Sequence, residues 1–223
     1  MIKASDFFTI PDSLAPFKEC FDAHAAPWEW LNGINNALLT VLASEGLEGG
    51  RSVFPPHLHV SGKVFIHDSV ELPPYGVIEG PAFIGPDCEL RPGVYIRGNV
   101  IVGRDCVLGN SCEYKNSMLM DSVETAHFNY VGDSILGTKS HLGAGVILAN
   151  IRLDRMNVKV KSPWGLFDTG RRKFGSAIGD GVEIGCNSVV QPGTLIGKRA
   201  FVLSALSVGG WIDSRSVVRS SVS

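Results

Sequence analysis

The stretch that decides the fold runs from Ile78 to Leu108 and breaks into sixes: IEGPAF, IGPDCE, LRPGVY, IRGNVI, VGRDCV, then Leu108. An aliphatic residue opens each six. The series reaches back through Val60, Ile66 and Leu72 and forward to Tyr114 and Met120. Four residues after each aliphatic stands a slim side chain: Val64, Val70, Gly76, Ala82, Cys88, Val94, Val100, Cys106 and Cys112. A helix repeats near 3.6 residues and an amphipathic strand at 2, so a strict six fits neither. A fixed short period with one aliphatic and one small inward position reads as a parallel β-helix. Each six is a short strand plus a turn, three sixes make a triangular coil, and every aliphatic stacks on its equivalent eighteen residues on. The expected class is all-β, with an inward column of aliphatics.

The phase of the repeat changes once along the chain. A second series runs Leu136, Leu142, Leu148, Ile178, Ile184, Val190, Ile196, Val202 and Val208, offset from the first by four residues. The break is expected between Met120 and Leu136, in DSVETAHFNYVGDSI. A solenoid core cannot change phase without a local irregularity, and such irregularities re-aim side chains next to active sites. His127 falls inside this segment.

Composition excludes several classes. The net charge of −2 across 223 residues gives no bulk electrostatic case for nucleic acid or an anionic membrane. The chain has no run of eighteen apolar residues and its N-terminus carries no signal-peptide core, so a cytoplasmic location is expected. Five cysteines without a CxxC pair argue against a disulfide framework or a zinc site. Cys88, Cys106 and Cys112 sit in the small inward phase and read as reduced core thiols. His59, His67, His127 and His141 contain no close pair, and no metal is expected.

Three regions follow. Residues 1–57 read as a helical segment and linker, with helix starts at Pro11-Asp12-Ser13 and Ala26-Pro27 and a stop at Gly46. The solenoid spans 58–212, and 213–223 is a Ser/Val-rich tail. One insertion, 151–175, interrupts the second series. It holds seven basic residues against Asp154 and Asp168, a local +5. Its Val158-Lys159-Val160-Lys161 alternates like a strand. Positive charge on an excursion from a rigid scaffold suits a phosphate-bearing ligand.

The stretches ELRPGVYIRGNV, EYKNSMLMDSVETAHFNYVGDS and LGAGVILAN, in that order, resemble the acetyltransferase domain of bifunctional sugar-1-phosphate nucleotidyltransferase/acetyltransferases. The basic GRRKFG segment and the long insert look like archaeal-type members. The resemblance covers about residues 58–210. It implies a left-handed helix, a homotrimer and acyl-CoA sites between adjacent subunits. It also implies an acetyl-CoA-dependent N-acetyltransferase acting on an amino-sugar phosphate such as glucosamine-1-phosphate, in nucleotide-sugar biosynthesis. No nucleotide-binding pattern precedes the solenoid, so a separate nucleotidyltransferase is a candidate partner. A catalytically degenerate structural trimer serving such a partner is the alternative.

Acetyl transfer to an amine needs a group to take the amine proton, and histidine titrates near neutrality. His127 aligns with the family's base; Glu124 and Asp133 are candidates to orient it. On the substrate side the resemblance carries over Arg91, Lys115, Tyr130 and Asn150, joined by His141 and by Lys159 of the insert. On the acetyl-CoA side it carries over Ala144, Cys186 and Ser204, with Lys173 for a phosphate. A backbone N–H of the Gly143-Ala144-Gly145 turn is the candidate oxyanion donor. Two positions depart from the family: His141 stands where bacterial members have Asn, and Asn150 is followed by Ile151 rather than Tyr.

Overall fold

The structure, a computed structural model, describes residues 2–44 and 47–219; the Gly46 helix stop lies outside them. The chain winds into a left-handed parallel β-helix of about nine turns. Three parallel sheets form the faces of a triangular prism. Face one starts at His57–Ser61 and includes Glu113–Lys115, Tyr130–Gly132 and Ile147–Leu148. Face two starts at Val64–Ile66 and includes Ser117–Leu119, Ile135–Leu136 and Ser176–Ile178. Face three starts at Glu89–Leu90 and includes Glu124–His127, His141–Leu142 and Glu183–Ile184. In-register pairs such as Ile78–Ile96 and Ile84–Val102 stack the aliphatics, which fill the interior. Cys88, Cys106 and Cys112 are buried free thiols, and the Cys106 N–H points at the Cys88 sulfur.

The phase change differs from the sequence reading in place and kind. Leu119, not Met120, is the inward residue, pairing with Val102 below and Leu136 above at seventeen-residue steps. Met120 points outward beneath the N-terminal segment. The shift is made by two separate one-residue deletions, at Tyr114→Leu119 and Val131→Leu136, each on the corner between faces one and two. Ser117 and Ser134 take the inward slot at these short corners. Their hydroxyls donate to Lys115 O and Gly132 O, each at 2.8 Å, closing the tightened turn. Between the deletions, Thr125 and Asn129 replace apolar inward residues. Thr125 meets the buried Tyr114 hydroxyl at 2.6 Å, so the coil beneath His127 has a polar, hydrogen-bonded core. A third shortening follows Val208: Ile212 pairs with Ile196 at a sixteen-residue step. The solenoid also continues past 212. Val217–Val218 pairs with Phe201–Val202, because Val218 returns to the six-residue phase after Ile212.

The helix Pro27–Val41 begins at its proline, whose missing N–H costs nothing at a first helical position. It lies with the 3-10 segment Asp12–Cys20 over the outside of face two. There Phe83, Ile101, Met118, Ile135, Ala177 and Leu195 are buried against Phe17, Trp30, Leu31 and Ile34. Burying a large apolar side chain is worth about 1.5–3 kcal/mol, so this cover is an integral second core. The insert forms a hairpin, Lys159–Ser162 with Gly165–Asp168. Its inner residues Val158 and Val160, with Phe174, join the same core.

Candidate functional site

The corner between faces three and one carries a vertical row from successive coils: Asn110, His127, Ala144, Cys186 and Ser204. Each carbonyl accepts the N–H of the turn above. Asn110 O receives Phe128 N at 2.9 Å, His127 O receives Gly145 N at 3.0 Å, and Ala144 O receives Asn187 N at 2.8 Å. Cys186 O then receives Ala205 N at 2.8 Å. Four sequence candidates, His127, Ala144, Cys186 and Ser204, therefore fall on one edge, in order and one coil apart. Neighbouring strands in such a ladder stand about 4.8 Å apart.

Asn129, which the sequence reading passed over, ties this row together. Buried in the small inward slot, its Nδ2 donates to Gly143 O at 2.8 Å, and its own N–H meets the Cys112 sulfur. It thus holds the Gly143-Ala144-Gly145 turn over the His127 coil. The available signal was an amide at the phase where the neighbouring coils carry Cys112 and Val146.

The His127 ring is exposed and makes no side-chain hydrogen bond among the described residues; Phe128 lies beside it at 6.2 Å. Neither proposed orienter reaches it. Asp133 is engaged one corner away, and Glu124 stands three positions back on the outside of face three. Alongside the row runs a groove of about 350 Å³, lined by His141, Gly143, Glu183, Gly185, Cys186, Phe201, Leu203 and Ser204. Its floor is glycine for a steric reason. A Cβ on Gly143 would stand 2.7 Å from Cys186 N, and one on Gly185 2.5 Å from Ser204 N. His141 Nδ1 lies 2.8 Å from Glu183 Oε2.

The two short corners build a second cluster. Asp133 is 3 % exposed at its side chain. It accepts Asn116 Nδ2 at 2.8 Å and Asn150 Nδ2 at 2.6 Å, and lies 3.3 Å from Lys115 Nζ and 4.0 Å from Arg171 Nη2. Asn150 Nδ2 also donates to the Tyr130 hydroxyl at 3.1 Å. Lys115, Tyr130 and Asn150 are thus brought together around a hub the sequence reading assigned elsewhere. Burial pushes the Tyr130 phenol upward, reinforced by the nearby carboxylates of Glu113 and Asp133. Burial pulls the Arg171 guanidinium downward against the opposing pull of Asp133. Arg171 also bonds Asn32 of the helix, so it joins insert, cover and solenoid.

The remaining candidates lie apart. Arg91 is two coils below His127 in a two-point ion pair with Glu89, at 2.7 and 3.1 Å. That pairing holds the Glu89 carboxyl below its usual range. Lys159 lines a basic pocket of about 390 Å³ with Arg152, Arg155, Asn157 and Arg172. Lys173 is exposed and bridges Ile151 through its backbone. Another cavity, of about 690 Å³, sits where Thr9–Ser13 crosses the corner between faces two and three; none of the candidate residues lines it. Among the described residues no cluster of three His, Cys, Asp or Glu side chains is placed to hold a metal ion.

Comparison with known proteins adds a family context. Residues 78–166 match the family model described as the GMPPB C-terminal domain. A bifunctional sugar-1-phosphate nucleotidylyltransferase/acetyltransferase of Sulfurisphaera tokodaii is 40% identical over 93 residues, covering 42% of this chain and 23% of that protein. A bifunctional protein GlmU of Methanococcus vannielii is 36% identical over 118 residues, covering 50% of this chain and 27% of that protein. Among solved structures, the acetyltransferase domain of PglB from Neisseria gonorrhoeae in complex with acetyl coenzyme A aligns over 60% of this chain and 51% of that one, with 18% identity and a TM-score of 0.34. This chain spans about a quarter of the length of the two curated relatives named. Residues 78–166 thus resemble a GMPPB C-terminal domain, and over up to half its length the chain is similar in sequence to bifunctional sugar-1-phosphate nucleotidyltransferase/acetyltransferases.

Proposed function

We propose that this chain is an acetyl-CoA-dependent N-acetyltransferase whose acceptor is an amino-sugar phosphate of the glucosamine-1-phosphate type. The observation that carries the reading is the row of His127, Ala144, Cys186 and Ser204 on one edge, beside a groove with a glycine floor. An extended acyl-pantetheine arm can lie along such a groove with its thioester at the lower end, next to His127 and the Gly143-Ala144-Gly145 turn. The similarity to the nucleotidylyltransferase/acetyltransferase of Sulfurisphaera tokodaii supports the chemistry.

In this reading the acceptor amine attacks the thioester carbon. The N–C bond forms, the C–S bond breaks with its electron pair going to sulfur, and CoA leaves as the thiolate, which solvent or an acid then protonates. His127 takes the amine proton. The Ala144 N–H, in a turn held by Asn129, faces the developing oxyanion, where a fixed donor is worth most. Lys115, Tyr130 and Asn150 contact the sugar, and the basic pocket of Arg152, Arg155, Lys159 and Arg172 holds a phosphate, with Lys173 at its margin. These groups do not converge within one chain. A homotrimer that sets the edge of one copy against a free face of the next supplies the missing wall, and it is part of this proposal. A separate nucleotidyltransferase to consume the product, and a cytoplasmic setting, belong to the same reading.

The test is acetylation of a panel of amino-sugar phosphates by wild type and His127→Ala. A loss of about two to four orders of magnitude in kcat is the worth of a general base, with acetyl-CoA binding kept. The second reading, a structural trimer without catalysis, draws on the unpartnered His127 ring. It gains if wild type binds acetyl-CoA yet turns over no member of the panel.

A further inference from the structure

We propose that His141 and Glu183 form a second proton-handling pair, in which His141 is the general acid that protonates the departing CoA sulfur and Glu183 is its positioning residue. The proposal rests on the acetyl-transfer reading and adds a group to it.

The geometry starts from the face-three ladder. Glu124, His141, Glu183 and Phe201 are in-register partners on successive strands, so their side chains form one outward column. His141 therefore stands between two carboxylates. It is bonded through Nδ1 to Glu183 Oε2 at 2.8 Å, and both side chains remain partly exposed, at 40% and 46%. A carboxylate on Nδ1 fixes the tautomer, leaving Nε2 as the working nitrogen. Among the described residues the His127 ring has no such partner. The oriented histidine of this edge is His141, although the row candidate is His127.

The groove gives the pair its place. His141 and Glu183 form one end, Phe201 and Leu203 the other, and Gly143 and Gly185 keep the floor between them clear. Polar side chains that can exchange a proton thus stand at the end beside the Gly143-Ala144-Gly145 turn. Apolar ones stand where an acyl-carrier arm has no charge to meet. The turn is common to His127, through the bond from Gly145 N to His127 O, and to the groove, through Gly143. A thioester at this turn has its nitrogen nucleophile arriving from the His127 side and its sulfur over the His141 side.

The step balances with both rings. The amine nitrogen donates its pair to the carbonyl carbon, and the C–S pair goes to sulfur. The ammonium proton passes to His127, and His141 gives its Nε2 proton to the sulfur. Product release leaves His127 charged and His141 neutral, and one proton exchanged through solvent resets both.

The experiment uses donors whose leaving groups differ in acidity. A thiol that is already acidic leaves without help, so the need for the acid vanishes with it while the need for the base does not. With acetyl-CoA, His141→Ala is expected to lower kcat about a hundredfold, the lower end for general acid catalysis, with KM little changed. With the acetyl thioester of an acidic aryl thiol, variant and wild type should agree within a few-fold. His127→Ala should be impaired equally with both donors. Glu183→Gln should follow His141→Ala in direction and be restored by the aryl donor, a pattern that a merely structural role does not produce. His141→Asn serves as the second variant if the alanine form melts early. Equal losses with both donors, or no loss at all, overturn the assignment while leaving acetyl transfer intact. Absence of turnover by wild type with either donor overturns the acetyl-transfer reading itself, and this proposal with it.

Discussion

Asp133 shows how much one buried carboxylate can organise. Two amides, a lysine and an arginine from three parts of the chain converge on its oxygens. Removing one partner of a buried, hydrogen-bonded charge group leaves the others uncompensated, which costs about 3–5 kcal/mol. Asp133→Ala is therefore expected to lower denaturant stability by roughly that amount and to weaken acceptor binding more than acetyl-CoA binding. A denaturant melt and two titrations check both. Asn129→Ala acts differently. It removes the shorter of two hydrogen bonds to Gly143 O, leaving the one from Val146 N at 3.3 Å, a loss of about 0.5–1.5 kcal/mol, and loosens the proposed oxyanion turn, so kcat should fall with little change in KM. The thiols give a chemical readout. Cys20 and Cys186 are exposed, whereas Cys88, Cys106 and Cys112 are buried, and burial holds the Cys106 and Cys112 thiols above their ordinary range. Thiolate, not thiol, reacts with alkylating agents. Native labelling should modify two cysteines, and acetyl-CoA should protect Cys186 but not Cys20. Loss of protection at Cys186 would place the donor elsewhere.

The insert divides into a part that folds and a part that is free to bind. Val158, Val160 and Phe174 are buried and Arg171 reaches Asp133 and Asn32, so this side is structural. Arg152, Arg155, Lys159 and Arg172 surround the basic pocket. Neutralising Arg152, Arg155 and Arg172 should weaken a phosphorylated ligand far more than an unphosphorylated one, and the difference should shrink as salt screens the charges. Arg171→Ala should instead lower the melting temperature. Equal weakening of charged and uncharged ligands by the triple variant would remove the phosphate assignment. The contrast also marks what the sequence could reveal. The six-residue period was legible because a polar or turn-forming residue follows each inward aliphatic from Val60 to Leu108. At Ser117-Met118-Leu119-Met120 that contrast fails. Three apolar residues in a row let Met120 complete the old series, while the shortened corner had already moved the inward slot to Leu119. The edge row was legible because its spacing follows from the coil. Asp133 was not, because an aspartate at a left-handed turn position (φ 47) looks like any other turn former in this chain. Val217–Val218 was hidden by the Gly209-Gly210 shortening, which shifts the phase just before it.

At the scale of the molecule, the prism has one covered and two open sides. Taking away residues 2–44 would expose the apolar outside of face two, including Phe83, Ile101, Met118, Ile135 and Leu195. Contiguous apolar patches of that kind associate, so the truncated chain is expected to aggregate where the intact chain stays dispersed, as size-exclusion profiles will show. Light scattering of the intact chain should give three copies, and a monomer at micromolar concentration would dismiss the shared-wall arrangement.

The covered side has a further consequence. In a triangle, the corner between faces three and one is the one opposite face two, so the His127 edge points directly away from the N-terminal segment. Copies that close a ring through their bare sides must then carry these segments on the outer rim. Cargo joined ahead of residue 2, whether an engineered tag or another domain, hangs outward like a flag from a hub, clear of the shaft where the copies meet. Such a fusion should leave ring closure and turnover unchanged, while bulk attached at Phe128 should block both.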